Sequence, residues 1–493
     1  MSADLFKAYN VNDVRYDSPL GNSDHKIITA SPTSPATGCI SPNCFRICDV
    51  YDFRQSNIDF LMHVAGQVDW EKLVEYENVD DKYQSFENCL KGLLQQCIPC
   101  KKVSMTMYDK EWITPLIKVL INERWEAYRT KNWAAYNHLK KKVKFEIMKA
   151  KSSWAKSLQS GKHGVWRLVR HVSSKNRKPE LSSLIKRFGS VEALLSGLFD
   201  HFSKISSVQV ARAPVSFNSS TEEIVSQSDF VVSEVEIKRI LLKTPLGKAP
   251  GCDGLPNKFY SILADFISKP LAVICQASFS QGKFPSGWKK GLIIPVPKQN
   301  VKSIADVRPI TLHPLPAKIC EKVIKSRYES FFEAKYGANQ HGFRKNASTT
   351  TALIHLMDVS LRNVDQELSS GNAIISLDLS KAFDSLDHRI ILTKLQGYGF
   401  PGALVGWLRD YLQSRTARIK MDNNVSDAFE IQRGVPQGTV LGPLIFNTFV
   451  SDFEASLIDS TVVKYADDMS EYCDQSIKER SGVYQSVDRT GDL

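Results

Sequence analysis

The sequence predicts an α+β protein in which a helical, basic region precedes alternating strands and helices. Three observations support this prediction. Apolar side chains recur at helical spacing in residues 101–202, strand-like and helix-like segments alternate in residues 233–475, and two β-branched runs each end near aspartate. The 493-residue chain is 42% hydrophobic and 24% charged, enough to form several cores of about 150 residues. This composition excludes a disordered tail, a collagen-like repeat and a disulfide miniprotein.

The chain lacks sequence features of exported and membrane proteins. No apolar run reaches the roughly 18 residues of a membrane helix, and the first ten residues lack the layout of a signal peptide. We therefore expect an intracellular protein, in the nucleus or the cytoplasm and not secreted, whose ten cysteines are reduced. Cys97 and Cys100 form a CxxC pair without a matching second pair, which favours free thiols over a zinc site.

The positive charge is concentrated in one stretch of the chain. Residues 101–180 hold 20 Lys and Arg against 6 Asp and Glu, and five of the eight tryptophans. Thr114 and Pro115 predict a helix start, and an apolar stripe that includes Val143 leaves Lys140–Lys142 mostly on other faces. Two interpretations stay open, a solvated basic face and a helix lying along nucleic-acid phosphates. We expect the tryptophans to pack in the core rather than to stack on bases.

Three aspartates are the candidate catalytic residues. Ala373–Leu377 predicts a buried strand that ends at Asp378, and Thr461–Tyr465 predicts a second strand before a tight turn with Asp467 and Asp468. Adjacent carboxylates repel one another unless a cation neutralises them. Three acids on strand ends suit two Mg²⁺ ions that promote an in-line phosphoryl displacement. Each motif alone is common, so the prediction depends on their combination.

Further motifs accompany these acids in a fixed order over about residues 235–470. They are Lys248-Ala-Pro-Gly-Cys-Asp-Gly254, Trp288 with Ile294-Pro-Val-Pro-Lys298 and Arg308-Pro-Ile310, Gln340-His-Gly-Phe-Arg344, Asp378-Leu-Ser-Lys-Ala-Phe-Asp384, Arg433-Gly-Val-Pro-Gln-Gly-Thr-Val-Leu-Gly-Pro-Leu444 and Tyr465-Ala-Asp-Asp468. In this order they resemble the reverse transcriptases of non-LTR (LINE-type, Jockey-like) retrotransposons. The resemblance implies the fingers and palm of a right-hand polymerase, within an endonuclease/reverse transcriptase polyprotein fragment.

The resemblance also implies roles for the matching residues. The implied ligands of two Mg²⁺ ions, or of Mn²⁺, are Asp378, Asp467, Asp468 and the Leu379 carbonyl. Lys298 and Arg308 would hold the triphosphate of the incoming nucleotide. Phe383 would exclude a ribose 2′-hydroxyl, unless it is a core aromatic residue, and Gln437 would line the nucleotide pocket, unless it is a turn amide.

The resemblance implies roles for two further pairs of residues. Gln340 and Arg344 would face the template strand, and an Arg near phosphates serves positioning rather than base choice. Ser18-Pro-Leu-Gly-Asn-Ser-Asp-His25 resembles the C-terminal end of an apurinic-type endonuclease, with Asp24 and His25 as its last catalytic pair. Because the other acids of such a domain would lie upstream, we expect no cleavage activity.

These observations divide the chain into six predicted regions. They are an endonuclease remnant (1–30), an irregular and helical linker (31–100), the basic Trp-rich helical region (101–202), a second linker (203–232), reverse transcriptase fingers and palm (233–475) and a polar tail (476–493). Only 25 residues follow Asp468, too few for a primer-gripping hairpin and a thumb. We therefore expect a missing thumb, and a bare sheet edge beside the strand after Asp468.

The predicted function is RNA-directed DNA polymerisation by two-metal catalysis, impaired by the C-terminal truncation. Its partners would be an RNA template, a DNA primer and deoxynucleoside triphosphates. One alternative is a non-enzymatic nucleic-acid-binding remnant of a mobile element, in which residues 101–180 bind the nucleic acid. Another is an RNA polymerase or a group II intron maturase. Phe383 argues against ribonucleotides, and the Lys248–Gly254 block with the endonuclease-like segment argues against a maturase.

Overall fold

The fold is described here from a computed structural model of the chain. The described residues are 9–17, 27–35, 45–106, 109–110, 112–159, 181–207, 230–298, 301–365, 372–379, 381–453 and 460–474. The chain divides into two units, one with residues 1–51 and 100–175 and the other with residues 52–99 and 176–493. No helix within the described ranges is long and apolar enough to cross a membrane.

Both units contain helices and strands. The helices are α1 (Gln55–Ala65), α2 (Val79–Cys97), α3 (Pro115–Arg129), α4 (Trp133–Gln159), α5 (Ser182–Phe188), α6 (Val191–Ser207), α7 (Glu234–Leu242), α8 (Asn257–Ile262), α9 (Ala264–Ser280), α10 (Leu315–Glu333), α11 (Thr349–Asp365), α12 (His388–Gly397), α13 (Gly402–Leu412) and α14 (Gly442–Phe449). The strands are β1 (Tyr9–Asp17), β2 (Ile27–Pro35), β3 (Phe45–Tyr51), β4 (Cys100–Thr106), β5 (Lys290–Pro297), β6 (Val307–Leu312), β7 (Asn372–Asp378), β8 (Arg415–Met421), β9 (Asn424–Val425), β10 (Phe429–Ile431), β11 (Ser460–Tyr465) and β12 (Asp468–Asp474).

The first unit contains two antiparallel strand pairs and a helical hairpin. β1 pairs with β2, and β3 pairs with β4. The predicted start of α3 is confirmed, because the Thr114 side chain accepts a hydrogen bond from the Ile117 N–H and Pro115 opens the helix. A three-residue turn connects α3 to α4, the two helices pack together, and Val143 of α4 is buried.

The second unit contains a five-stranded sheet covered by helices. The strand order is β10-β8-β5-β6, with β9 paired to β8, and β5 runs parallel to β8 and antiparallel to β6. Apolar side chains of α5 and α6, among them Leu198 and Phe202, pack on Ile293 and Ile419 of this sheet. Because α6 continues to Ser207, the first residues of the predicted 203–232 linker are helical, and residues 208–229 lie outside the described part of the chain.

A separate three-stranded antiparallel sheet carries two of the predicted catalytic acids. Its order is β11-β12-β7, and α11 packs against all three strands. The predicted strands before Asp378 and before the turn at Asp467 are confirmed as β7 and β11. The expected burial of the first strand is wrong, because Ile374 is 50% exposed and residues 374–378 are exposed or half-buried. The expectation of a bare edge beside the strand after Asp468 is wrong, because β12 is the central strand and pairs on both sides.

Candidate active site

Strand pairing brings two of the predicted catalytic acids together. In the register of β12 with β7, Asp468 lies directly opposite Asp378. Directly opposed residues of antiparallel strands have Cα atoms about 4.5–5.5 Å apart, and their side chains point to the same face of the sheet. Asp378 and Asp468 are both exposed, and Asp467 lies beside them in the two-residue turn between β11 and β12. The sheet therefore gathers three acids, about 90 residues apart in sequence, at one end.

The face of β7 that carries Asp378 is open to solvent. Ile374, Ser376 and Asp378 alternate along the strand and are exposed, whereas Leu377 on the opposite face is half-buried. Met469, which pairs with Leu377, is buried, so the opposite face of the sheet packs inward. Like charges directly opposite each other across two strands are destabilising. The pair of aspartates is therefore an open, acidic feature that a cation would stabilise.

The acids match the oxygen ligands that Mg²⁺ prefers, carboxylates combined with substrate oxygens and water. In the described part of the chain, no three His, Cys, Asp or Glu side chains stand close enough together to hold a metal ion. The described residues thus provide two opposed carboxylates and a third carboxylate in the adjoining turn, and they do not form a preassembled site of three protein ligands. Such an arrangement fits an ion whose remaining ligands come from substrate phosphates.

The turn that follows Asp378 is held against the glycine-rich block. The N–H groups of Gly434 and Val435 donate to the carbonyls of Leu386 and Phe383, both at 2.7 Å. The Gly434 carbonyl lies 2.8 Å from Nε2 of the buried His388. Gly434 has φ +82°, and a Cβ there would lie 2.6 Å from the Asp384 carbonyl oxygen. This position requires glycine, which explains how the two segments approach so closely.

A half-buried carboxylate, that of Asp384, connects these segments to the five-stranded sheet. Gln437 Nε2 donates to Asp384 Oδ2 at 2.9 Å, and the Gln437 carbonyl accepts from the Thr311 N–H of β6 at 2.8 Å. Burial raises the pKa of Asp384 to about 7, against the opposing effects of the Gln437 hydrogen bond and of Lys381. Asp384 and Gln437 therefore fix the end of the turn that begins at Asp378.

Phe383 lies in an aromatic cluster at the same turn. Its ring stacks on Phe446 of α14, with centroids 4.5 Å apart, and meets Phe343 edge-on at 6.0 Å. Phe383 is half-buried, and Phe343 is 51% exposed. The cluster holds Phe383 in place while leaving part of the ring in contact with solvent.

The block around Gly342 supports the turn that carries Asp467. The Gln340 side-chain oxygen accepts from the N–H groups of Gly342 at 2.8 Å and Ala466 at 3.3 Å. The His341 N–H donates to the Lys464 carbonyl of β11 at 2.8 Å. A Cβ on Gly342 would lie 2.1 Å from the Ala466 nitrogen, so only glycine fits beneath the turn.

Part of the sequence is similar to RNA-directed DNA polymerases. Residues 296–491 match the family model described as reverse transcriptase (RNA-dependent DNA polymerase). The chain is 33% identical over 245 residues to the RNA-directed DNA polymerase from mobile element jockey of Drosophila melanogaster. It is 29% identical over 246 residues to a probable RNA-directed DNA polymerase from transposon BS of the same organism.

Over less than half of its length, the chain is therefore similar to reverse transcriptases of mobile elements. The alignments cover 47% and 48% of this chain but only 26% and 27% of the two relatives, so the chain spans about a quarter of their length. A solved telomerase structure from Candida tropicalis, truncated from its C-terminal domain, covers 38% of this chain and 44% of its own at 13% identity. Its TM-score of 0.31 is too low to support an argument about the fold.

The remaining site residues predicted from the reverse transcriptase resemblance lie in different settings. Lys298 and Arg308 are exposed at the tip of the β5–β6 hairpin, where the Lys298 N–H donates to the Asp306 carbonyl. Leu379 follows β7 directly and is half-buried. Asp24 and His25 lie outside the described residues.

The two predicted template-binding residues make internal contacts. Gln340 is only 2% exposed, and its side-chain oxygen accepts hydrogen bonds from the N–H groups of Gly342 and Ala466. Arg344 pairs with Glu333, Nε to Oε2 at 2.8 Å, and its Nη1 donates to the carbonyls of Gly337 and Gln340. Their contact with a template stays a prediction. In the structure both residues stabilise neighbouring segments through hydrogen bonds, which the sequence did not indicate.

Sequence reasoning missed a buried polar network behind the glycine-rich block. Glu321 of α10 is fully buried, and its Oε2 accepts from the N–H groups of Val440 and Leu441 at the start of α14. Burial raises the pKa of Glu321, while those N–H groups and Arg415 oppose the shift. Arg415 is 1% exposed and lies 2.7 Å from Nε2 of His313, whose pKa burial and Arg415 lower. No local motif marks these residues, because their partners are distant in sequence.

Proposed function

We propose that the chain contains the catalytic centre of an RNA-directed DNA polymerase, which adds deoxynucleotides to a primer 3′-hydroxyl on an RNA template. The observation that carries the proposal is the register that sets Asp378 opposite Asp468, with Asp467 in the adjoining turn. The reverse transcriptase family match over residues 296–491 supports it. The two sheets of the second unit would then form the fingers and the palm.

Asp378, Asp467 and Asp468, with the Leu379 carbonyl, would hold two divalent ions, Mg²⁺ or Mn²⁺. When bound, such ions supply Lewis-acid activation of the primer hydroxyl and neutralise charge on the leaving pyrophosphate. The open face of β7 leaves room for substrate oxygens beside the carboxylates. Asp384 and Gln437 keep the turn after Asp378 in a fixed place relative to β6, which preserves the alignment of reacting groups.

Basic and aromatic residues of the same unit would bind the nucleotide. Lys298 and Arg308 are exposed cations on one hairpin, and cations stabilise the charge of a transferring phosphoryl group. Phe383, fixed between Phe446 and Phe343, would present its ring edge to the sugar and reject a 2′-hydroxyl. Gln437 would line the nucleotide pocket from the other side of the turn.

The test is primer extension on poly(rA)·oligo(dT) with dTTP and Mg²⁺. We expect incorporation by the wild-type chain, and a loss of at least about 10²-fold in Asp378→Asn, because a group that stabilises transition-state charge is removed. Asp427→Asn, which changes an exposed acid of the β9–β10 loop, serves as the matched control. Equal incorporation by wild type and Asp378→Asn would contradict the proposal.

If primer extension by the wild-type chain is too slow to detect, metal binding can be measured instead. Thermal unfolding with and without millimolar Mn²⁺ should show a rise in Tm for wild type, because a ligand that binds only the folded state stabilises it. Asp378→Asn should lose most of that rise. A Tm that Mn²⁺ leaves unchanged in both proteins would argue against a metal site at these acids.

A further inference from the structure

An exposed aromatic cluster lies at the tip of the α3–α4 hairpin in the first unit. Trp125 and Tyr128 come from the end of α3, and Trp133 and Tyr136 from the start of α4. The Trp125 and Tyr128 rings stack at 5.6 Å with 6° between their planes, and Tyr128 meets Trp133 edge-on at 5.8 Å. The expectation that the tryptophans pack in the core is wrong here, because Trp125 is 67% and Trp133 is 55% exposed.

A row of lysines extends from this cluster along α4. Lys140 and Lys144 follow Trp133 at seven and eleven residues, a spacing that keeps all three on one helix face. At 1.5 Å of rise per residue they lie about 10 Å and about 16 Å from Trp133 along the axis. Both lysines are exposed, and no described Asp or Glu lies within ion-pair distance of either.

The hairpin as a whole is strongly positive. Residues 115–159 hold 11 Lys and Arg against 3 Asp and Glu. Two of those acids are already paired, Glu123 with Lys101 and Glu126 with Arg129. The net field along α4 therefore favours a polyanion.

The ligand that fits such a surface has flat rings and a negative backbone. Aromatic side chains beside a basic groove bind single strands, because unpaired bases stack on them while the phosphates meet the cations. A duplex keeps its bases stacked inside and offers them no such contact. An anionic membrane would need a continuous apolar helix face to insert. Ile117, Leu120 and Val143 of this hairpin are buried, and the exposed Phe145 and Met148 lie between Lys144 and Lys149 in the sequence.

We propose that the tip of the α3–α4 hairpin binds single-stranded RNA, with bases stacked on Trp125 and Trp133 and backbone phosphates along Lys140 and Lys144. RNA is the chosen strand because part of the same chain is similar to the RNA-dependent DNA polymerase family. The surface lies in the unit that does not contain Asp378, so binding here and polymerisation there can be separated by substitution.

The first test is fluorescence anisotropy of the full chain with a labelled 20-nucleotide oligo(rU). The double variant Trp125→Ala/Trp133→Ala should bind about tenfold or more weakly, because each lost stacking contact weakens binding severalfold or more. Trp125→Phe/Trp133→Phe should stay within about threefold of wild type, since a phenyl ring still stacks. Phe145→Ala, which removes another exposed aromatic ring of α4, should leave affinity unchanged. Circular dichroism verifies that each variant is folded.

The second test is the salt dependence of the same affinity. Each phosphate contact in a single strand contributes about 0.7 to the slope of log affinity against log salt. Lys140→Ala/Lys144→Ala should therefore lower the magnitude of that slope by about 1.4. Lys243→Ala/Lys283→Ala, two exposed lysines of the second unit, make the same charge change and should leave the slope as in wild type.

Three results would overturn the inference. The first is wild-type affinity in the folded tryptophan-to-alanine variant. The second is tighter binding of oligo(dT) than of oligo(rU), and the third is tighter binding of vesicles containing phosphatidylserine than of either oligonucleotide. Asp378→Asn should bind oligo(rU) like wild type. A wrong polymerase proposal would therefore appear in primer extension, and a wrong RNA-binding proposal would appear in the affinity for oligo(rU).

Discussion

The acids of the second unit fall into two groups that differ in their contact with solvent. Asp378 and Asp468 are exposed and face each other across paired strands. Asp384 is half-buried and Glu321 is fully buried, and an amide and two backbone N–H groups donate hydrogen bonds to them. No described residue donates a hydrogen bond to the carboxylate of Asp378 or Asp468.

The difference separates acids whose hydrogen bonds stabilise the fold from acids that we propose bind a ligand. Buried carboxylates are tolerated because fixed donors compensate for lost water. An opposed, exposed pair gains nothing from its fold and repels itself, so a bound cation is the partner that would stabilise it. Substitutions in the two groups should therefore have opposite consequences, with activity lost in one and stability lost in the other.

The largest effect is expected at the exposed pair. Asp468→Asn should reduce primer extension by at least about 10²-fold, because a charge that holds the ions is lost. Without divalent ions its free energy of unfolding should rise by a few tenths of a kcal/mol, since a like-charge pair is relieved. Urea unfolding in EDTA and primer extension check the two effects. Asp422→Asn, an exposed acid elsewhere, should change neither, and a marked loss of stability in Asp468→Asn would contradict the comparison.

The opposite pattern is expected at the buried acid of α10. Glu321→Ala should lower the free energy of unfolding by about 3 kcal/mol, because it leaves buried N–H groups without an acceptor and removes the negative charge near the buried Arg415. Glu329→Ala on the same helix breaks a surface pair with Lys345 and should cost less than about 1 kcal/mol. Urea unfolding measures both. If both variants lost the same free energy of unfolding, burial of the carboxylate would not explain its contribution to stability.

A substitution beneath the turn should affect both stability and activity. Gly342→Ala places a Cβ 2.1 Å from the Ala466 nitrogen and must displace the turn that carries Asp467. We expect a loss of about 1–3 kcal/mol in urea unfolding, with weaker primer extension. Gly406→Ala in α13 is the control, because a Cβ there meets no atom within 4 Å and alanine favours a helix. Wild-type extension by a folded Gly342→Ala chain would argue against the supporting role of this block.

A pH dependence of stability is expected from Asp384. Its pKa is about 7 in the folded chain and about 3.9 when unfolded. Between these values the folded state keeps a proton that the unfolded state has released, so this group's contribution to stability falls as pH rises. Asp384→Asn removes that contribution, and its stability should decline less than wild type between pH 5 and pH 8. Urea unfolding at both pH values tests this, with Asp427→Asn expected to keep the wild-type slope.

Local patterns identified much of this site. The β-branched runs before Asp378 and before the turn at Asp467 predicted two strands, and both are confirmed. Thr114 and Pro115 likewise predicted the start of α3. These features depend on side chains only a few residues apart, which is the range over which sequence spacing is informative.

Features that depend on distant contacts could not be predicted. The central place of β12 follows from its pairing with β7, about 90 residues away. The burial of Gln340 follows from its bonds to the β11–β12 turn, and the exposure of Trp125 depends on what α3 packs against. An apolar or amide side chain does not reveal by its spacing which distant surface it will meet.

The central position of β12 has a consequence for the order of assembly. β7 is synthesised long before its hydrogen-bonding partner, and the closure of so long a loop slows folding. Until the β11–β12 hairpin docks, Asp378 has no acid opposite it. A nascent chain shorter than residue 474 therefore lacks the complete acidic pair, and metal affinity should arise only as the last described strand leaves the ribosome.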